Sequence, residues 1–316
     1  MTQVRRTAAG WFLFHALAVA TWWALLWARP ALLPYFQAGP GGEDALLAFA
    51  LPDLAVLAVA SVAAAAACRH GGAWLLPTVW MAAGASAYAG LYTFAAAVRA
   101  DAGWWGVVLM APSTLLSVVF AVAVTPAAVA RFGPSRRASP VHVLARTAAQ
   151  IVVFWSVLLF LVPALLVEVQ GRMGLRLVEW PVGRTAAALA FAALSALGLW
   201  SAVVMALRGE GTPLPVDAPR RLVVAGPYAY VRNPMALAGL GQGMAVAAFT
   251  GSVLVGAYAL LGTAIWQWVA RPLEEDDLAA RFGDDYAAYR AAVRCWVPRT
   301  RPYALDAAPG LADARG

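Results

Sequence analysis

Two short polar stretches hold the residue types that could do chemistry: GPYAYVRNPMA from Gly226 to Ala236, and RPLEEDDLAARFGDDYAAYR from Arg271 to Arg290. Arg232 and Asn233 supply hydrogen-bond donors, Tyr228 a hydroxyl, and Glu274 and Glu275 a pair of carboxylates. Either glutamate is a candidate base. Metal chemistry finds no support: His15, His70 and His142 stand on separate segments, and Cys68 and Cys295 lie far apart with no CxxC or Cys/His spacing. All 23 basic residues are arginine, which excludes a lysine Schiff base and a P-loop lysine. Each motif also has a purely structural use. Gly226-Pro227 and Asn233-Pro234 are turn and helix-start signals, and Glu274 to Asp277 suits the acidic first turn of a surface helix.

The elements that must position these residues are membrane helices. The chain of 316 residues is 62% hydrophobic and 12% charged, with a mean hydropathy of +0.71, which leaves too little polar surface to coat a water-exposed globule. Apolar runs centre on residues 10 to 28, 46 to 67, 73 to 97, 103 to 130, 147 to 167 and 184 to 207. A seventh, from Met235 to Val269, is too long for one ordinary span, and Thr250-Gly251-Ser252 at its middle predicts a helical hairpin. The sequence therefore predicts an all-α, polytopic integral membrane bundle of about eight transmembrane helices. With the hairpin and a cytoplasmic N-terminus, eighteen of the 23 arginines fall on the inside, and only Arg29, Arg99, Arg172, Arg176 and Arg184 fall outside. Both termini are accordingly expected in the cytoplasm. The formal charge of +7 is spread over these loops rather than gathered in one stripe, which argues for membrane orientation and against nucleic acid.

The basic connection from Arg131 to Arg146 divides the chain into an accessory four-helix membrane region, 1–135, and a core, 136–303, followed by an Ala, Asp, Pro and Gly rich tail, 304–316, expected to be disordered. Gly239, Gly241 and Gly243 lie inside an apolar run with no preceding strand, so close helix packing is preferred to a dinucleotide loop. Asp53 is an ionisable group inside a span, and Pro52 beside it puts it near the membrane boundary. Gln267, between Trp266 and Trp268, is read as part of an interfacial anchor rather than an acceptor pocket.

In order and spacing, Gly-Pro-Tyr-x-Tyr-Val-Arg-Asn-Pro, an apolar hairpin, then Glu-Glu-x-x-Leu-x-x-Arg-Phe-Gly-x-x-Tyr-x-x-Tyr and Val297-Pro298-Arg299 resemble the isoprenylcysteine carboxyl methyltransferases, related to the phospholipid methyltransferases. The resemblance covers about the last 110 residues. It implies an integral membrane methyltransferase, positions 136–303 forming its core, that takes S-adenosylmethionine from the cytosol and a lipophilic acceptor or membrane lipid from the bilayer, with no metal. Transferred residue by residue, it places Leu222, Val223, Tyr228, Arg232, Asn233, Pro234, Met235, Ala236, Glu274 and Glu275 at the cofactor, and Arg271 one position from an acceptor-binding arginine. Asn233 stands where the family has histidine and Ala236 where it has tyrosine; asparagine still donates a hydrogen bond, alanine does not. A carboxylate or thiol-type acceptor would need no strong base, whereas an amine must shed a proton, with Glu274 or Glu275 the nearest candidate. A phospholipid N-methyltransferase, a sterol-type NADPH reductase and a non-catalytic scaffold or transporter remain the alternatives. Heavy alanine and arginine usage without lysine points to a bacterial chain and to the plasma (inner) membrane.

Overall fold

Long runs of Ala, Leu, Val and Trp free of charge form helices here because a backbone in hydrocarbon must satisfy its own hydrogen bonds. The computed structural model describes residues 2–125, 140–179, 183–209 and 219–304. The segments 131–139 of the basic connection and 305–316 of the tail, on which two of the sequence expectations fall, lie outside the described residues, as do 210–218. Among the described residues every regular element is helical. Seven helices are long and apolar enough to cross a membrane: α1 (Gln3–Ala28), α2 (Glu43–His70), α3 (Leu75–Ala100), α4 (Trp104–Ala123), α5 (Val141–Arg172), α6 (Gly183–Gly209) and α8 (Val253–Ala292). A shorter apolar helix, α7 (Pro234–Thr250), completes the hairpin with α8. Many large apolar side chains, among them Phe14, Leu51, Leu91, Phe160 and Leu189, are exposed on these helices, as lipid-facing residues are.

The chain forms two compact units. The first comprises Met1–Val129 with Val169–Leu175, and the second Ala130–Glu168 with Arg176–Gly316. Within the first unit the last turn of α5 is held by its arginine: Arg172 Nη1 meets Asp101 Oδ1 at 2.7 Å, and its guanidinium lies 5.4 Å from the Trp104 ring. At the other end of the unit, Arg5 donates from Nε and Nη2 to the carbonyl of Cys68 (3.2 and 3.0 Å), near the C-terminus of α2 where unpaired carbonyls welcome a cation. Between them a buried chain of hydrogen bonds links α1 to α2, α3 and α4. His15 Nδ1 pairs with Ser61 Oγ at 2.9 Å, His15 Nε2 with Ser113 Oγ at 2.6 Å, and Ser113 with Ser86 at 3.0 Å. His15 is thus a packed, satisfied residue.

In the second unit small residues set the helix contacts. A Cβ on Gly241 would lie 2.8 Å from Leu194 of α6, and one on Gly243 would lie 3.2 Å from Ala259 of α8, whereas Gly239 faces open space. Buried Gln242 adds a polar tie, donating to Ser195 Oγ at 2.8 Å. The hairpin turns at Gly251, whose φ of +71 closes α7, while Ser252 caps α8 by accepting from Val255 N–H at 3.2 Å. The Gly251 carbonyl also accepts from Val178 N–H at 2.8 Å. The apolar part of α8 ends at Ala270; residues 271–292 carry its charges and stand outside the membrane-spanning stretch.

A side chain at Gly251 would suffer the left-handed strain of about 1–2 kcal/mol and would also collide with the Val178 carbonyl oxygen. Gly251→Ala is expected to lower the melting temperature of the purified protein by several degrees, and Gly239→Ala, which meets nothing, to leave it unchanged or slightly raised.

Candidate functional site

The site is built where the segment after α6 meets the charged half of α8. Gly226 begins it with φ +57 and no room for a Cβ, which would lie 2.9 Å from Val204, so only glycine admits the tight turn Gly226–Ala229 against α6. That turn and the residues after it are stitched to the segment following α8 by backbone hydrogen bonds: Arg232 N–H to Arg294 (3.0 Å), Arg299 N–H to Tyr230 (2.8 Å) and Tyr303 N–H to Ala229 (2.9 Å). Tyr289 seals the arrangement by donating its hydroxyl to the Tyr228 carbonyl at 2.7 Å. Tyr286, Tyr289 and Val293 form a small buried core against Leu222, Val224, Leu278, Phe282 and Tyr303.

The charged centre is an ion pair. Arg232 Nη2 lies 3.0 Å from Glu275 Oε1, with the two side chains only 10% and 9% exposed, and Arg232 Nη1 donates to the Arg290 carbonyl at 3.1 Å. The other Glu275 oxygen faces Arg290 Nη2 at 3.4 Å, so this carboxylate is neutralised from two sides. Arg281 ties the remaining edge, donating to the Pro219 carbonyl and pairing with Asp277, both at 2.6 Å.

Glu274, one residue earlier, has no such partner among the described residues. Protein packed around it desolvates its carboxyl, and the charges of Glu275 and Asp277 add to this, raising it to about 7 against the opposing pull of Arg232 and Arg281. The side chain nevertheless keeps access to water. Hydration on that side offsets part of the desolvation, and the like-charged neighbours keep the direction upward. Tyr228 is buried with a hydroxyl that meets no partner among the described residues. Burial, then Glu274 and Tyr289, push its pKa well above the ordinary value, so it remains a neutral O–H donor.

These groups surround a cavity of about 40 Å³ lined by Leu222, Val223, Tyr228, Arg232, Asn233, Glu274 and Glu275. Seven of the eleven residues singled out from the sequence are thereby brought together. Pro234, Met235 and Ala236 begin α7 and do not line the cavity, nor does Arg271, whose Nε is buried without a partner at the start of the charged half of α8. Asn233, anticipated as a donor to a carboxylate, instead directs its amide to Cys295 Sγ at 3.5 Å. Arg221, Leu278, Tyr286 and Tyr289 also line the cavity. Leu278, Tyr286 and Tyr289 belong to the sequence motif, but nothing in a spacing says which face of a helix a cavity adjoins. Gln267 accepts from Trp296 Nε1 at 2.9 Å, and Trp296 meets Trp266 edge to face.

Among the described residues a carboxylate without an ion pair, a phenol without a hydrogen-bond partner and a cluster of arginines form a donor and acceptor set that fits S-adenosylmethionine, which carries an ammonium, a carboxylate, hydroxyls and a sulfonium. The enclosed space admits one polar group of such a ligand rather than the whole nucleoside. Among the described residues no group of three or more His, Cys, Asp or Glu is placed to hold a metal ion.

Helices that span a membrane and a polar site at the end of a helical hairpin define the class of protein. Residues 184–285, from α6 into the charged half of α8, match the phospholipid methyltransferase family. The match supports a membrane methyltransferase of the S-adenosylmethionine-dependent kind. No curated protein and no solved structure matches the chain.

Two variants check the electrostatics. Arg232→Met leaves Glu275 buried with only the exposed Arg290 opposite and is expected to cost about 3–5 kcal/mol in unfolding free energy. Glu274 has a raised folded pKa, so its ionisation opposes folding: stability is full below its ordinary value near 4.5 and declines as pH rises toward 7. In Glu274→Gln the fall in melting temperature between pH 5 and pH 8 is expected to shrink.

Proposed function

We propose that this protein transfers a methyl group from S-adenosylmethionine to a lipophilic acceptor, with a carboxylate or thiol-type accepting group, at the cytoplasmic face of a bacterial plasma membrane. The observation that carries the reading is that Tyr228, Arg232, Glu274 and Glu275, far apart in sequence, line one cavity next to the end of an apolar hairpin, in a segment that matches the phospholipid methyltransferase family. When bound, S-adenosylmethionine supplies an electrophilic methyl group.

The chain's own residues provide the rest. Glu274, when ionised, attracts the cationic part of the donor, and Tyr228 offers a neutral hydroxyl to an oxygen of it. Arg232 is held rigid by Glu275 and the Arg290 carbonyl, so it presents a fixed positive wall. Leu222 and Val223 supply the apolar edge of the cavity. Arg271, where the apolar part of α8 gives way to the charged part, is in this reading the residue that meets the anionic group of an acceptor whose tail stays in lipid. In this reading 136–303 is the catalytic core and 1–135 an accessory region. For a carboxylate or a thiolate, already ionised, positioning and exclusion of water supply the acceleration, and no proton need move.

One observation favours a second reading, methylation of a phospholipid amine. A carboxyl whose pKa is raised toward neutrality can take the proton that a protonated amine must lose before its nitrogen attacks the methyl carbon. Here Glu274 would gain the proton, and the nitrogen lone pair would become the new N–C bond as the donor's S–CH3 bond breaks with its electron pair left on sulfur.

The test is calorimetric titration of S-adenosylmethionine into detergent-purified, lipid-supplemented protein. Saturable binding is expected, abolished in Glu274→Ala and strengthened between pH 6 and pH 8 as Glu274 ionises. Absence of binding in a folded sample, or tighter binding of NADPH, overturns the proposal. Methyl-labelled donor offered with a fatty acid, a lipophilic thiol and phosphatidylethanolamine then separates the two readings by where the label appears.

A further inference from the structure

The first unit contains a larger cavity, of about 340 Å³, within the usual range of small-molecule sites of about 300–1,000 Å³. It is walled by the second half of α1, the first half of α2, the second half of α3, the start of α4 and the short helix Leu33–Phe36. Most of its lining is apolar, and the lining contains no arginine or histidine although the chain carries a net charge of +7. Its one ionisable acid is Asp53.

Asp53 sits on the π-type turn Asp53–Ala58 that follows Pro52, a winding that often marks functional positions in helices. Buried Trp23 donates its Nε1–H to Asp53 Oδ2 at 3.0 Å and so fixes the carboxylate. The other oxygen takes no hydrogen bond, and the group no ion pair, from the described residues. A carboxylate within a span that is oriented and yet unpaired is costly and calls for a partner. The same cavity wall carries aromatic rings: Trp22 meets Phe36 edge to face at 4.4 Å, and Phe49 lies against Tyr92 at 4.8 Å.

A carboxylate and aromatic rings on the wall of one apolar chamber are the chemistry that recognises an alkylated ammonium, which gains Coulomb attraction from the acid and cation–π attraction from the rings. We propose that this cavity binds a lipophilic ammonium ion, its charged nitrogen between Asp53 and the rings of Trp22, Phe36, Phe49 and Tyr92, and its apolar body in the rest of the chamber. The inference rests on the first unit alone and stands or falls independently of methyl transfer by the second.

The experiment is equilibrium dialysis of radiolabelled decyltrimethylammonium against the full-length protein in a neutral maltoside detergent, with decanol as the uncharged comparison. Saturable binding at one site is expected, weakened at least tenfold in Asp53→Asn and several-fold in Trp22→Leu, while decanol binding is the same in all three proteins. The cation should also raise the melting temperature of the unsubstituted protein and not that of Asp53→Asn. If Asp53→Asn does not fold, Trp22→Leu carries the comparison. Non-saturable uptake, equal affinity for cation and alcohol, or undiminished cation binding in the folded variants would show an ordinary lipid-tail chamber and overturn the proposal.

Discussion

Arg232 and Glu275 are 43 residues apart, and their contact at 3.0 Å is the interaction on which the polar part of the second unit depends. Neither charge is tolerable alone at such low exposure, because the desolvation of each has to be offset by the other. Their meeting requires that the hairpin return the chain to the level at which it left, which in turn requires the left-handed glycine at 251 and the serine cap at 252. It also requires the segment after Val293 to fold back, since the Arg294 carbonyl receives the Arg232 amide and the Arg290 carbonyl receives its guanidinium. One electrostatic necessity thus couples the turn of a membrane hairpin to the placement of a surface loop.

The same pair explains why Glu274 is different from its neighbour. Glu275 is satisfied by two arginines, and with those cations engaged Glu274 is left with like charges beside it and a pKa displaced toward neutrality. A pair of adjacent carboxylates with separate environments divides the labour between structure and ligand: one holds the scaffold, the other stays available. The buried and unpaired Tyr228 hydroxyl completes the available set.

In the first unit the polar groups are used in two ways. His15, Ser61, Ser86 and Ser113 satisfy one another and tie four helices together, which is what buried hydroxyls and imidazoles do when hydrocarbon offers no alternative partner. Asp53 is held by Trp23 but not neutralised, at the side of an aromatic chamber. The contrast between a closed network and an open one within the same four helices is what separates packing from recognition there.

By itself the sequence determined the solvent and the elements. Runs of apolar residues require helices in lipid, and Thr250-Gly251-Ser252 within an overlong run requires a turn; both follow from local chemistry and both are present. The motif residues Arg232, Glu274 and Glu275 were legible because the hairpin alone brings their segments to one level. What only the tertiary structure decided is which side chains of those segments share a cavity. Met235 and Ala236 belong to the same motif as Arg232 but do not line the cavity, Asn233 is engaged with Cys295, and Tyr286 and Tyr289 join the cavity from the far side of a helix kinked at Gly283. The aromatic chamber around Asp53 was equally hidden, since its wall is drawn from α1, α2, α3, α4 and a four-residue helix whose meeting no single periodicity encodes. Composition and spacing act along the chain, whereas a cavity is a property of surfaces that meet across it.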